Sequence, residues 1–188
     1  MATVAINGGA NAALLAAQIL AVSDADLAAK LDAKRAADAA IVLVDAIDGP
    51  QIGTARAWKH AKNRKIPRFG LVSRMDKDRA DFKAVVTQMR KNHGANVVIP
   101  LFWPVGAEAN FSGVVNVLFD KDIPADIADD VAECRQLWMD AIAETDETVM
   151  ERYLEGTPLT EDEIRVGLRK SVIAGNPIPV FAASATKD

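Results

Sequence analysis

A glycine-containing turn near the start of the chain is the first candidate for chemistry. Gly8, Gly9 and Asn11 lie between a predicted strand, residues 1–6, and a predicted apolar helix, residues 12–22. Backbone N–H groups at the start of a helix, together with the helix dipole, can bind an anion. The alternative is a tight turn that needs glycine only for its backbone freedom.

This turn lacks the side chains of a complete phosphate-binding loop. Such a loop has the form G-x-x-x-x-G-K-[ST], in which the lysine reaches the terminal phosphates and the hydroxyl holds Mg²⁺. No stretch of the sequence matches this form. The residues therefore predict neither a catalytic site nor a metal site for phosphate chemistry.

The remaining reactive side chains favour structural roles. Cys134, the only cysteine, falls in a predicted helix with no histidine nearby, which favours packing over nucleophilic catalysis. His60 and His93 do not have the spacing of metal ligands. Acidic runs such as residues 161–163 are typical of solvated helix faces. No catalytic residue is predicted.

The elements that would position these residues alternate between strands and helices. Hydrophobic residues make up 50% of the chain and aromatics only 5%, which suits helices packed closely on a sheet. Strands are predicted at residues 39–45, 67–73, 96–101, 113–119 and 178–183, with helices at 52–63 and 78–92. The pattern predicts an α/β fold: a three-layer, doubly wound, mainly parallel sheet with a helical insertion at about 124–174.

We expect one domain over residues 1–188. It would consist of a strand–helix segment at 1–36, a sheet formed by 37–123 and 176–188, and a helical subdomain at 124–175. Within that subdomain a break is expected near residues 144–147, and a capping box at Thr160 and Glu163 predicts the start of another helix.

Charge and composition indicate which partners to expect. The net charge of -4 argues against free nucleic acid and anionic membranes as partners. A single cysteine and the lack of a long apolar run favour a cytoplasmic protein. We expect a monomer with no obligate partner. The alternative is oligomerisation through the apolar helix at residues 12–20, if its face is not covered.

Five stretches resemble one known family. They are AAIVLVDAIDGPQ (39–51), LVSRMDKDRADF (71–82), PVGAEANFSGVV (104–115), ETDETVMERYLEG (144–156) and AASATK (182–187). From Ala37 onward the chain resembles the guanine-nucleotide domain of the translational GTPases, closest to elongation factor G. The resemblance implies a P-loop-GTPase-like sheet.

The resemblance also implies where a guanine base would bind. In that family an Asn-Lys-x-Asp motif follows a strand, and its aspartate accepts two hydrogen bonds from guanine. The matching residues here are Ser73, Arg74 and Asp76, of which only Asp76 is unchanged. Ser184 and Ala185 match a second loop whose backbone N–H contacts the guanine carbonyl. A vestigial site, with Asp76 only capping the next helix, is the alternative to weak GDP or GTP binding.

A second resemblance covers the start of the chain. The stretch ATVAINGGANAALLAAQIL (2–20) is similar to the C-terminal strand and helix of aminoimidazole ribonucleotide carboxylase/mutase, a flavodoxin-like family of purine biosynthesis. Two parents joined near Ala36 suggest an engineered or recombined chimera. The resulting expectation is a scaffold that is not an enzyme and does not hydrolyse GTP. The alternatives are a weak guanine-nucleotide-binding module and a ribosome-interacting fragment.

Overall fold

A computed structural model describes Asp24 and residues 39–186 of the chain. The chain divides into two compact units, Met1–Asp38 and Ala39–Asp188, and the fold described below is that of the second. The strand and helices expected within residues 1–35 lie outside the described residues, as do Gly8, Gly9 and Asn11. The expected single domain over residues 1–188 therefore stays a prediction.

Residues 39–186 form six strands and five α-helices. In chain order these are β1 (Ala40–Asp45), α1 (Ile52–Asn63), β2 (Arg68–Ser73), α2 (Phe82–His93), β3 (Val98–Pro100), β4 (Phe102–Val105), β5 (Gly113–Asn116), α3 (Ala128–Ala143), α4 (Glu147–Leu154), α5 (Glu161–Ile173) and β6 (Ile178–Ala182).

The central sheet has the strand order β1-β2-β6-β3, and every neighbouring pair is parallel. Strands β4 and β5 form a separate antiparallel hairpin. The predicted α/β fold with a mainly parallel sheet is confirmed. Strand β4 was missed, since residues from Pro104 onward were expected to form a loop. Proline is tolerated there because β4 pairs on only one side, with β5.

Buried residues are aligned on one face of β1, β2 and β6. Val42, Gly70 and Val180 are aligned across β1, β2 and β6 and are buried. A Cβ on Gly70 would lie 3.0 Å from the Cε atom of Met89 in α2, so the glycine allows the helix to pack close to the sheet. On the opposite face of β1, the side chain of Leu43 remains exposed.

Helix starts follow local capping chemistry. Helix α2 begins at Phe82, later than the expected residue 78, because the Asp81 carboxylate accepts a hydrogen bond from the Ala84 N–H at 2.9 Å. Asp81, rather than Asp76, is therefore the N-cap of this helix. The capping box at Thr160 and Glu163 is confirmed at the start of α5.

The helical region from residue 124 is anchored to the sheet through α3. Trp138 is fully buried, and its Nε1–H donates to the Pro100 carbonyl oxygen at 2.8 Å. The break expected near residues 144–147 is present between α3 and α4, where Asp146 caps the second helix. Over residues 39–186 no helix combines the length and the apolar character needed to cross a bilayer.

Candidate functional site

Two loops meet where β2 and β6 end. The strands are adjacent and parallel, so their carboxyl ends lie at the same edge of the sheet, where α/β proteins commonly bind ligands. The N–H of Met75 donates to the Ala183 carbonyl at 3.3 Å, and the N–H of Ala183 donates to the Val72 carbonyl at 2.8 Å. These backbone bonds hold the loop at residues 73–76 against the loop at residues 183–186.

The Asp76 carboxylate lies at the centre of this junction. The Ser184 hydroxyl donates to Oδ1 at 2.8 Å, and the Thr186 hydroxyl donates to Oδ2 at 2.8 Å. The Lys77 ammonium group lies 2.7 Å from Oδ2. The Asp76 side chain is only 6% exposed, whereas the Lys77 side chain is 47% exposed. The two hydroxyls thus fix the carboxylate, and the lysine covers it from the solvent side.

These donors keep Asp76 ionised. The Lys77 ammonium group, followed by the Ser184 and Thr186 hydroxyls, holds the pKa of Asp76 well below its usual range. A carboxylate offers about four lone-pair sites, and these three contacts use most of them. A ligand that donates two hydrogen bonds to Asp76 therefore has to displace one contact. The exposed Lys77 can move with the least loss of packing.

Arg74 is held by an acid on the neighbouring strand. Its Nη1 donates to Oδ2 of Asp45 at 2.7 Å, and its backbone has a positive φ of 69°. The other carboxylate oxygen of Asp45 accepts from the Ile47 N–H at 2.8 Å. The Ile47 N–H, together with the Arg74 guanidinium group, lowers the pKa of Asp45. Asp45 thus orients Arg74 beside the Asp76 junction.

A cavity of about 540 Å³ adjoins this edge of the sheet. Met75, Arg79 and Glu108 lie on its wall, near the junction. The Glu108 N–H donates to the Met75 carbonyl at 2.9 Å, and the Glu108 carboxylate accepts from the Arg79 N–H at 2.6 Å. The loop that carries Asp76 is therefore supported on its second side by the turn at Glu108.

All five predicted base-site residues lie at the carboxyl-end edge of the sheet, where they fall into two groups. The structure joins Asp76 to Ser184, with Ala185 exposed beside them. It directs Arg74 to Asp45, and it places the Ser73 hydroxyl 3.5 Å from the Val44 carbonyl oxygen. The roles of these five residues in binding a base stay predictions.

Three further residues at this edge were missed from the sequence. Lys77 and Thr186 are bonded to the Asp76 carboxylate, and Asp45 is bonded to Arg74. A signal was available for Asp45, because an acidic residue at the carboxyl end of a buried parallel strand lies at the ligand-binding edge of such a sheet. Lys77 and Thr186 are ordinary loop residues in the sequence.

The described cysteine and histidine side chains indicate neither a nucleophile nor a metal site. Cys134 is buried, and burial raises its pKa to about 11, so its thiol is neither accessible nor ionised at neutral pH. In the part of the chain that is described, no three His, Cys, Asp or Glu residues lie close enough together to hold a metal ion.

Known proteins similar to this chain include one protein family and a solved structure. Residues 29–188 match the family described as the elongation factor Tu GTP binding domain. A crystal structure of a protein from Thermus thermophilus is similar, with a TM-score of 0.69 and 32% sequence identity. That match covers 79% of this chain and 24% of the Thermus chain. The chain thus spans about a quarter of the length of that relative.

Proposed function

The chain belongs to the family of the elongation factor Tu GTP-binding domain, and from this premise we propose that it is a guanine-nucleotide-binding domain of the GTPase class. The observation that carries the proposal is the ionised Asp76 carboxylate, held by Ser184 and Thr186 at the carboxyl ends of parallel strands. The ligand we propose is GDP or GTP.

The expectation of an engineered scaffold that is not an enzyme was wrong. The family match covers residues 29–188, and the members of this family are GTP-hydrolysing enzymes. The missing G-x-x-x-x-G-K-[ST] loop is one short motif, whereas the resemblance to the GTP-binding family extends over most of the chain. The alternative of guanine-nucleotide binding agrees better with the family.

The predicted chimera is not supported by the comparisons either. The family match begins at residue 29, before the junction expected near Ala36. Neither comparison indicates a carboxylase-like or flavodoxin-like segment in residues 1–35.

The chemistry of Asp76 suits guanine rather than adenine. Guanine presents two adjacent N–H donors, N1–H and the 2-amino group, whereas adenine presents an acceptor at N1. An ionised carboxylate only accepts hydrogen bonds, so it pairs with the guanine edge and repels the acceptor of adenine. The low pKa of Asp76 keeps it in this acceptor state across the physiological pH range.

The surrounding residues fit the same ligand. Ala185 lies exposed next to Ser184, as the predicted backbone contact to a guanine carbonyl requires. The Arg74 guanidinium group, oriented by Asp45, is planar and can stack on the face of a base. We propose that Asp76 selects the base, that the loop at residues 183–186 contacts its carbonyl, and that Arg74 stacks against it.

Substitution of Asp76 by asparagine tests this assignment. In titrations with GDP, Asp76→Asn should weaken binding by about tenfold or more, because an amide cannot accept both donors of guanine. The same variant should gain affinity for xanthosine diphosphate, whose 2-carbonyl can accept a hydrogen bond from the new amide. Asp78→Asn, an exposed change on the same loop, is the matched control and should bind GDP like the wild type. Equal GDP affinity in Asp76→Asn and the wild type would rule out this role.

We also propose a cytoplasmic, monomeric protein that needs no protein, nucleic-acid or membrane partner to fold. The net charge of -4 and the composition support this proposal. Light scattering coupled to size exclusion tests the oligomeric state, and a stable larger species would contradict the monomer.

A further inference from the structure

A second cavity lies at the opposite end of the central sheet from Asp76. Its volume is about 350 Å³, and it adjoins the starts of β2 and β6. Its wall includes Trp58, Lys62, Arg68, His93 and Asn176. Since β2 runs from Arg68 to Ser73, about 16 Å of strand separates this amino-end cavity from the Asp76 loop.

Arg68 is the unusual residue of the amino-end cavity. It is a charged residue that is only 8% exposed. Its Nη2 donates to the Gly175 carbonyl oxygen at 3.1 Å, but its buried Nε and Nη1 atoms have no hydrogen-bond partner. Buried donors without partners are costly, and buried cations are normally paired with an acid. The two nitrogens together carry three unused N–H groups.

Among the described residues that line the cavity, those that carry charge are all basic. Lys62 and His93 lie on the same wall, and none of the described residues that line the cavity is Asp or Glu. Burial, followed by the charges of Arg68 and Lys62, lowers the pKa of His93. The imidazole is held in place by stacking on Trp58, with ring centroids 4.5 Å apart and ring planes 9° apart. The wall is therefore packed around a stacked ring pair on one side, and the described part of it offers no acidic partner to Arg68.

We propose that the amino-end cavity is a binding site for a small oxyanion, a phosphate or a carboxylate. For such an anion to accept hydrogen bonds from Arg68 Nε and Nη1, the Arg68 side chain turns toward the cavity on binding. The charge of the anion then offsets the charges of Arg68 and Lys62. A cavity of this volume accommodates a small molecule rather than a macromolecule. This site is independent of guanine recognition, because it shares no residue with the Asp76 junction.

Thermal unfolding at constant ionic strength tests the site. The protein is melted in an amine buffer with increasing inorganic phosphate, and separately with increasing succinate, with chloride replaced to keep the ionic strength fixed. A bound anion stabilises only the folded state. At about ten times the dissociation constant, the effective anion should raise the Tm of the wild type by about 3–6 °C. The anion that gives the larger rise in Tm, phosphate or succinate, shows whether the site binds a phosphate or a carboxylate.

Matched substitutions locate the effect. Arg68→Met keeps the volume of the side chain but removes the donors, so the anion-dependent rise in Tm should be lost. Arg56→Met, an exposed change in α1, should keep the full rise. Lys62→Met lies at the exposed rim and is expected to fold normally, and it should weaken binding by about two- to threefold.

Three results would overturn the proposal. The first is a wild type whose Tm responds to neither anion. The second is an equal rise in Arg68→Met and the wild type. The third applies if Arg68→Met does not fold. In that case, an anion affinity of Lys62→Met equal to that of the wild type would show that the proposed charge contact is absent.

Discussion

Asp76 is an acceptor whose donors compete with a ligand. Thr186 and Lys77 both contact Oδ2, and Ser184 contacts Oδ1. A guanine that bonds both oxygens therefore needs one of the two Oδ2 contacts to open. Lys77 has an exposed side chain and no other ion pair among the described residues, whereas Thr186 is also bonded to Ser184. We expect Lys77 to leave Oδ2 when the base binds.

Removal of Lys77 should therefore leave guanine binding intact. In Lys77→Met the competing donor is gone, and an exposed ion pair contributes little by itself. Calorimetric titration with GDP should give an affinity within about threefold of the wild type, on the tighter side. A loss as large as that expected for Asp76→Asn would mean that Lys77 is part of the binding surface and does not compete with the ligand.

His93 makes the stability of the protein depend on pH. Burial and the charges of Arg68 and Lys62 lower its pKa, so the folded state favours the neutral imidazole. The stabilisation is present above about pH 6.5, the pKa of an unfolded histidine, and it is lost as pH falls from there through the folded pKa.

The substitution His93→Phe should reduce this pH dependence, because phenylalanine keeps a ring stacked on Trp58 but does not titrate. Between pH 7.5 and pH 5, in phosphate-free buffer, the Tm of the wild type should fall further than that of His93→Phe. His60→Gln, a change at an exposed site, should follow the wild type. Parallel curves for the wild type and His93→Phe would contradict the role of His93.

At the level of elements, the contact between α3 and α5 depends on a glycine. A Cβ on Gly167 would lie 2.5 Å from Ile142 Cγ2 and 3.4 Å from Thr145 Oγ1. Around Gly53 in α1, no described atom beyond its chain neighbours and its own helix backbone lies within 4 Å of the position that a Cβ would take. The two glycines are both helical but differ in their surroundings.

Alanine at these two sites should have opposite effects. Gly167→Ala should lower the free energy of unfolding by about 1–3 kcal/mol, because the added methyl group forces the helices apart. Gly53→Ala should raise it by about 0.4–1 kcal/mol, because the unfolded chain loses freedom without a clash. Urea denaturation of both variants measures the difference. Stabilisation by Gly167→Ala would show that α5 can move away at little cost.

The sequence correctly predicted those helices and strands that depend on residues close to one another in the chain. The Thr160 capping box predicted the start of α5, and the apolar run at residues 39–45 predicted β1. The start of α2 was set too early, at residue 78, because Asp76 was considered as its cap, whereas Asp81 caps the helix. Strand β4 was missed because its proline favours a loop unless the pairing with β5 is known.

The resemblance to the translational GTPases implied that Asp76 and Ser184 belong to one base site, and the structure joins their side chains. Their role in binding a base stays a prediction. The contact of Thr186 with Asp76 could not be predicted, since it depends on the adjacency of β2 and β6. The burial of Arg68 was missed for a similar reason. A cation at the start of a strand is usually exposed, and only the packing of α1 and α2 encloses it.

At the level of the whole molecule, the two ends of one sheet carry different chemistry. The carboxyl ends of β2 and β6 hold the Asp76 carboxylate, which we propose accepts a guanine base. Their amino ends hold the buried Arg68, and no described residue that lines its cavity is acidic. Membership of the GTP-binding family and 32% identity to a Thermus thermophilus protein support the proposal for the first end. The chain spans 24% of the Thermus protein, so the proposed nucleotide binding concerns this chain and not the activity of that longer relative.

Thermal unfolding of the wild type with GDP, compared with ADP at the same concentration and ionic strength, tests guanine recognition most directly. Both nucleotides carry the same phosphates, so any phosphate effect at the amino-end cavity is common to them and cancels in the comparison. The account predicts a cooperative melt whose midpoint GDP raises more than ADP. Equal midpoints with the two nucleotides would contradict selection of guanine by Asp76.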